Sequence, residues 1–119
     1  MCKMVPYANG QLVADIKLDH IKNISEMAKH APGINRIMLF GSSIEDRCTD
    51  RSDIDIAGFG DTTKGSYIDS REFKAFKSGL FRFDWDQDYD ILYFKENAKN
   101  SSDIMKDINN GVEIYRGSD

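Results

Sequence analysis

Between Leu18 and Ala31 the apolar residues fall at spacings of three and four: Leu18, Ile21, Ile24, Met27, Ala28 and Ala31. That is the period of a helix with one buried stripe, and it predicts a helix over Lys17–His30, stopped by Pro32-Gly33. Ile34–Phe40 is a short apolar run ending at Gly41 and reads as a buried strand. Ser42 to about Arg47 is expected to be a short helix or turn. The period then changes to two: over Ser52–Phe59, Asp53 and Asp55 fall on one side and Ile54 and Ile56 on the other, as along a strand. A loop is expected at Asp61–Lys64, a helix over Ile68–Ser78 with Gly79 near its C-terminal end, and a strand over Tyr89–Phe94. Ser101–Asn109 reads as a short helix with a serine near its N-cap, closed by Asn110-Gly111 and followed by a last strand, Val112–Tyr115. Residues 1–16 read as a leader, with Asn9-Gly10 as a type I′ turn between Val5–Tyr7 and Leu12–Ala14. This order makes a single small α/β (α+β) domain with a mixed sheet.

Composition narrows the class. With 119 residues the chain can build one modest core, and 40% hydrophobic with 30% charged residues is ordinary for a soluble globular protein. The formal net charge of -4 argues against broad nucleic-acid binding, which needs a basic patch. No apolar run is long enough to span a membrane, and the N-terminus has no apolar segment of signal-peptide type, so a cytoplasmic location is expected. Cys2 and Cys48 lack metal-ligand spacing and are expected to be reduced thiols. His20 and His30 read as surface or helix-flanking residues, not ligands.

The candidate chemistry lies between residues 41 and 55: Gly41-Ser42, ten residues, then Asp53-Ile54-Asp55. Gly41 has no side chain, so a phosphate can approach its backbone. Ser42 offers a hydroxyl and an N–H to phosphate oxygens at the start of the expected short helix or turn. Two carboxylates two apart on a strand share a face and can hold Mg²⁺, which also binds substrate phosphates. The pair suits a two-metal displacement at phosphorus. A third carboxylate is expected on a neighbouring strand. Asp90 is the best candidate, as base or metal ligand, with Asp88 as the alternative. The alternation Asp84, Asp86, Asp88, Asp90 invites a calcium-loop reading, which fails because the glycine position holds Tyr89 and the twelfth position Lys95. The cluster Phe73, Phe76, Phe81, Phe83 and Trp85 reads equally as core or as partner surface. Lys64, Arg71, Lys74 and Lys77 read as a solvated helix face.

The segment GSSIEDRCTDRSDIDIA resembles the signature of the DNA polymerase β-type nucleotidyltransferase superfamily: Gly-Ser, about ten residues, Asp-x-Asp. The strand with Asp90 matches the superfamily's third acid. The closing segment Met105–Tyr115 is similar to the ending of its smallest members, the minimal nucleotidyltransferases, often antitoxins paired with a HEPN-domain toxin. The resemblance runs from about residue 18 to 116 and implies a mixed sheet of about four strands flanked by helices. It assigns Gly41 and Ser42, with Ser43 and Arg47 beside them, to the nucleotide triphosphate, Asp53 and Asp55 to metal, and Asp90 to metal and base. Many relatives carry Arg after Gly-Ser and Gly three residues later, where this chain has Ser43 and Asp46. Arg47 and Arg51 stand close enough in sequence to supply that positive charge.

What the resemblance implies is an Mg²⁺-dependent enzyme, with two ions expected, that moves AMP from ATP to a hydroxyl. Relatives in the antitoxin group can modify a tyrosine of the toxin, which implies protein AMPylation and a hetero-oligomer here. A chain of this length has no room for a separate substrate domain, so the acceptor is expected on another molecule. Two alternatives stay open: a binding antitoxin without catalysis, and transfer to a small molecule.

Overall fold

The computed structural model describes residues 1–97 and 102–117. An antiparallel hairpin comes first, β1 (Met4–Pro6) with β2 (Leu12–Ala14). Asn9 (φ 61°) and Gly10 (φ 76°) both take positive φ, as the sequence requires of a type I′ turn, but the turn lies inside a wider loop closed by Tyr7 and Gln11. Then follow α1 (Leu18–Lys29), β3 (Arg36–Phe40), a 3₁₀ turn over Gly41–Ile44, and β4 (Ile54–Gly60). The rest of the chain is α2 (Lys64–Ile68), α3 (Arg71–Phe83), β5 (Tyr89–Lys95), α4 (Asp103–Asn109) and β6 (Val112–Arg116).

The four strands β5-β4-β3-β6 form one mixed sheet: β4 and β5 run parallel, and the other two pairs are antiparallel. Side-chain alternation divides the core between its faces. Ile37, Leu39, Ile54, Ile56 and Tyr93 point to the face covered by α1 and α3, where they meet Ile21, Ile24, Phe73, Phe76 and Leu80. Met38, Phe40, Ala57 and Phe59 point the other way, against Met105 and Ile108 of α4. The stripe on α1 is as its period demands, with Ile21, Ile24 and Ala28 buried.

The sequence reading differs from the structure along residues 64–83. Lys64 opens a short helix, α2, instead of ending a loop, and the next helix runs five residues past Ser78. Ser70 caps α3: its Oγ accepts the Phe73 N–H at 3.1 Å. Gly79 sits inside α3, not at its end, because α3 crosses α1 there; a Cβ on Gly79 would lie 2.4 Å from Met27 Sδ. A glycine that reads locally as a stop is a contact point between helices. Ser102 caps α4, accepting the Met105 N–H at 3.4 Å; Ser101, where that helix was expected to start, lies outside the described residues.

The aromatic cluster splits. Phe73 and Phe76 are buried, whereas Phe81, Phe83 and Trp85 are exposed, Trp85 by 75%. Cys2 and Cys48 are both free thiols, as expected from the sequence. Among the described residues no helix is long and apolar enough to cross a membrane.

Candidate active site

Two of the candidate acids, Asp55 and Asp90, lie on the strand parity that faces α4. Asp55 shares its side of β4 with Ala57 and Phe59, and Asp90 shares its side of β5 with Leu92 and Phe94. The parallel register sets Asp55 directly beside Asp90 and, on the other side, opposite Phe40 at the end of β3. Adjacent strands lie about 4.8 Å apart, so the two carboxylates leave neighbouring backbones toward the same space.

That space is an open cleft of about 540 Å³, walled by Phe40, Gly41, Glu45, Arg47, Asp55, Asp90, two residues of α4, Ile104 and Asp107, and Asn110 at its C-cap. Gly41 is required here on two counts. Its φ of +72° belongs to the left-handed region, and an added Cβ would stand 2.2 Å from Asp55 Oδ2. The turn after β3 therefore brings bare backbone against the Asp55 carboxylate. Asp53, one residue before β4, is exposed and lies outside the cleft wall.

Burial raises the pKa of Asp55 above the ordinary carboxylate value, and the charges of Asp90 and Asp53 raise it further, while Arg47 opposes them. The site thus gathers negative charge that one arginine only partly offsets. Arg47 itself is exposed and paired with Glu45, through Nε at 3.1 Å and Nη2 at 2.8 Å. Such an exposed pair is easily exchanged for a more highly charged partner.

The other predicted contacts are placed as follows. Ser42 is half-buried, and its carbonyl accepts the Glu45 N–H at 3.0 Å. The Ser43 side chain is fully buried, with its Oγ unpaired, so only its backbone can serve a ligand in this conformation. Arg51 is exposed and does not line the cleft. Asp88 borders a different hollow with Lys77, Leu80 and Phe81, and its carbonyl accepts the Ile54 N–H at 3.0 Å. Lys64, Arg71, Lys74 and Lys77 are exposed and lie away from the cleft.

The residues able to hold a metal are Asp55 and Asp90, with Asp53 within electrostatic reach. No three of the described His, Cys, Asp or Glu side chains stand close enough to enclose an ion unaided. Mg²⁺ commonly takes one or two protein carboxylates and completes its shell with substrate phosphates and water, which is the donor set Asp55 and Asp90 offer.

Sequence reasoning missed Glu45, Ile104, Asp107 and Asn110. Ile104 and Asp107 of α4 and Asn110 at its C-cap are three and three apart, a helical spacing that marks a common face, but nothing local says which face meets the sheet. It also missed Lys17, which is only 1% exposed. His20, read as a flanking residue, bonds Asp84 Oδ2 through Nε2 at 2.8 Å and packs edge-on against Phe83.

Comparison with known proteins supports the fold and the family. The chain is similar in fold to a Sulfolobus solfataricus protein, provisionally described as a nucleotidyltransferase, whose crystal structure was solved at 1.40 Å. The two share 17% identity over 86% of this chain and 85% of that one, with a TM-score of 0.51. No curated protein matches the chain. The profile of the family described as "Polymerase beta, Nucleotidyltransferase" matches residues 22–119, which include the Gly-Ser turn and all three acids. With that match over most of its length, the chain belongs to the polymerase β nucleotidyltransferase family.

Proposed function

We propose that this domain uses Mg²⁺ to transfer AMP from ATP to a tyrosine hydroxyl of a partner protein, a HEPN-class toxin, and so acts as an antitoxin. The observation that carries the transfer reading is the Asp55–Asp90 pair on the wall of a cleft whose floor is bare backbone at Gly41. Family membership supports nucleotidyl transfer, and the antitoxin role rests on the resemblance to the smallest family members.

Each wall of the cleft has a task in that reaction. The triphosphate lies along the turn at Gly41–Ser42, where a missing Cβ allows close approach. Arg47 leaves Glu45 for a phosphate, a more highly charged partner. Asp53, Asp55 and Asp90 would hold the Mg²⁺ ions, which supply neutralisation of phosphate charge where it builds up. The acceptor oxygen bonds to the α-phosphorus, the bond from that phosphorus to the bridging oxygen breaks, and pyrophosphate leaves with that electron pair. The acceptor's proton passes to the Asp90 carboxylate, which stands at the open, exposed end of the pair. The accumulation of acid charge in the free site costs stability and is relieved when cations and substrate bind.

The test is to incubate the purified domain and its co-purifying partner with Mg²⁺ and ATP labelled on the α-phosphate. Wild type is compared with the Asp53→Asn/Asp55→Asn double variant. Label should appear on the partner's band, vanish in the double variant and on adding EDTA, and return with excess Mg²⁺. A partner that stays bound but never takes label would leave a binding antitoxin on a nucleotidyltransferase scaffold. Label on a small molecule instead would refute the protein acceptor.

A further inference from the structure

Lys17 stands in the turn before α1, and its side chain is almost wholly buried. Burying an ammonium is costly unless it is paired, and burial does draw the pKa of this lysine below its usual value. Its Nζ donates to the Asp50 carbonyl at 3.2 Å and to Gln87 Oε1 at 2.6 Å. Gln87 uses its other end just as fully: Nε2 donates to the Ser52 carbonyl at 3.0 Å and to the Asp88 carbonyl at 2.7 Å. The Asp88 carbonyl in turn accepts the Ile54 N–H at 3.0 Å.

These bonds join two stretches of chain that are far apart in sequence. Residues 50–52 lead directly into Asp53 and β4; residues 87–88 lead directly into β5 and Asp90. The sheet ladder begins only at the pairing of Ile54 with Tyr89, so ahead of that point the Lys17–Gln87 pair and the Ile54–Asp88 bond hold the two segments together. We propose that Lys17 and Gln87 are positioning residues that set the spacing of Asp53 and Asp55 relative to Asp90, and through it the metal affinity of the site. The inference rests on the nucleotidyl-transfer reading for its consequence, though not for its geometry. Neither side chain lines the cleft, so neither is placed to touch substrate. They act on the backbone from which the carboxylates spring, as outer partners of metal ligands commonly do.

The test uses Lys17→Met, an unbranched side chain one atom shorter that removes the donor, and Gln87→Leu, which removes all three side-chain bonds at a half-buried position. Ser25→Ala is the control. It deletes a hydrogen bond to the Ile114 carbonyl (2.7 Å) on the α1–β6 side, away from the acids. Mn²⁺ affinity is measured by calorimetry in the presence of a non-hydrolysable ATP analogue, alongside the Mg²⁺ dependence of transfer. The expected result is a 10- to 100-fold loss of metal affinity in both clamp variants, with turnover recovered at saturating metal. Ser25→Ala should lose thermal stability without losing metal affinity. Mn²⁺ binding within twofold of wild type in Gln87→Leu would overturn the proposal. Should Lys17→Met not fold, Gln87→Leu decides alone. If wild type itself neither binds Mn²⁺ nor transfers label, the nucleotidyl-transfer reading has failed separately. Hydrogen exchange at the Ile54 amide then judges the clamp: about tenfold faster exchange in Gln87→Leu supports it, and unchanged exchange refutes it.

Discussion

Gly41→Ala tests the site at its tightest point. The alanine would have to hold φ near +72°, a left-handed conformation that costs a residue with a Cβ about 1–2 kcal/mol. Its Cβ would also start 2.2 Å from Asp55 Oδ2. Ordinary contact begins near 3.4 Å, so the carboxylate must retreat by roughly 1 Å or the turn must open by as much. Adding a modest repacking cost, the expected loss of stability is about 1–3 kcal/mol. For a domain of this size that lowers Tm by roughly 4–12 °C. The effect on chemistry should be larger, because a displacement of about 1 Å at a reacting centre can cost about 100-fold in rate. Thermal unfolding followed by circular dichroism gives the first quantity. Transfer of label from α-labelled ATP, measured well below the variant's Tm, gives the second. Gly65→Ala is the matched control: Gly65 lies in α2 with normal φ, and nothing comes within 4 Å of an added Cβ. It should be neutral or stabilising by about 0.5–1 kcal/mol, with full activity. A Gly41→Ala protein with wild-type Tm and wild-type turnover would refute the close approach of Gly41 and Asp55 and the role built on it.

Two further outcomes follow from the same geometry. Asp55→Asn should abolish transfer yet make the domain more stable at pH 7, since it removes a carboxylate that burial, Asp90 and Asp53 all disfavour in its charged form. A raised folded pKa means that this group's stabilising contribution is complete below the ordinary carboxylate range and is lost as pH rises through the folded value. The advantage of Asp55→Asn should therefore shrink as pH is lowered to 4 and below; urea titrations at both pH values check it, and an advantage independent of pH would be the wrong result. Ile56→Ala, one residue along the strand on the opposite face and 1% exposed, should cost about 2–5 kcal/mol in urea while leaving KM for ATP unchanged in the folded fraction.

What the sequence determined by itself is whatever a single element carries. The period of three and four over Leu18–Ala31 determined a helix and its buried face, and the period of two over Ser52–Phe59 determined that Asp55 leaves its strand on the face opposite Ile54 and Ile56, which enter the core. Gly41 was legible as a place for close approach, and the Gly-Ser and Asp-x-Asp spacing pointed to the family. What only the tertiary structure decided is whatever depends on pairing between distant segments. Asp90 and not Asp88 stands beside Asp55 because the parallel ladder registers residue 55 with residue 90. Ile104, Asp107 and Asn110 became a cleft wall because α4 packs on the acid face of the sheet. Gly79 became a helix crossing because Met27 lies across from it. Lys17, a charged residue at the start of the expected helix, is buried because two loops from elsewhere in the chain supply its acceptors. Backbone sterics and side-chain alternation act over a few residues and leave their mark in local sequence; register, crossing and the pairing of a buried charge are settled by which distant groups meet, and no single stretch of sequence records that.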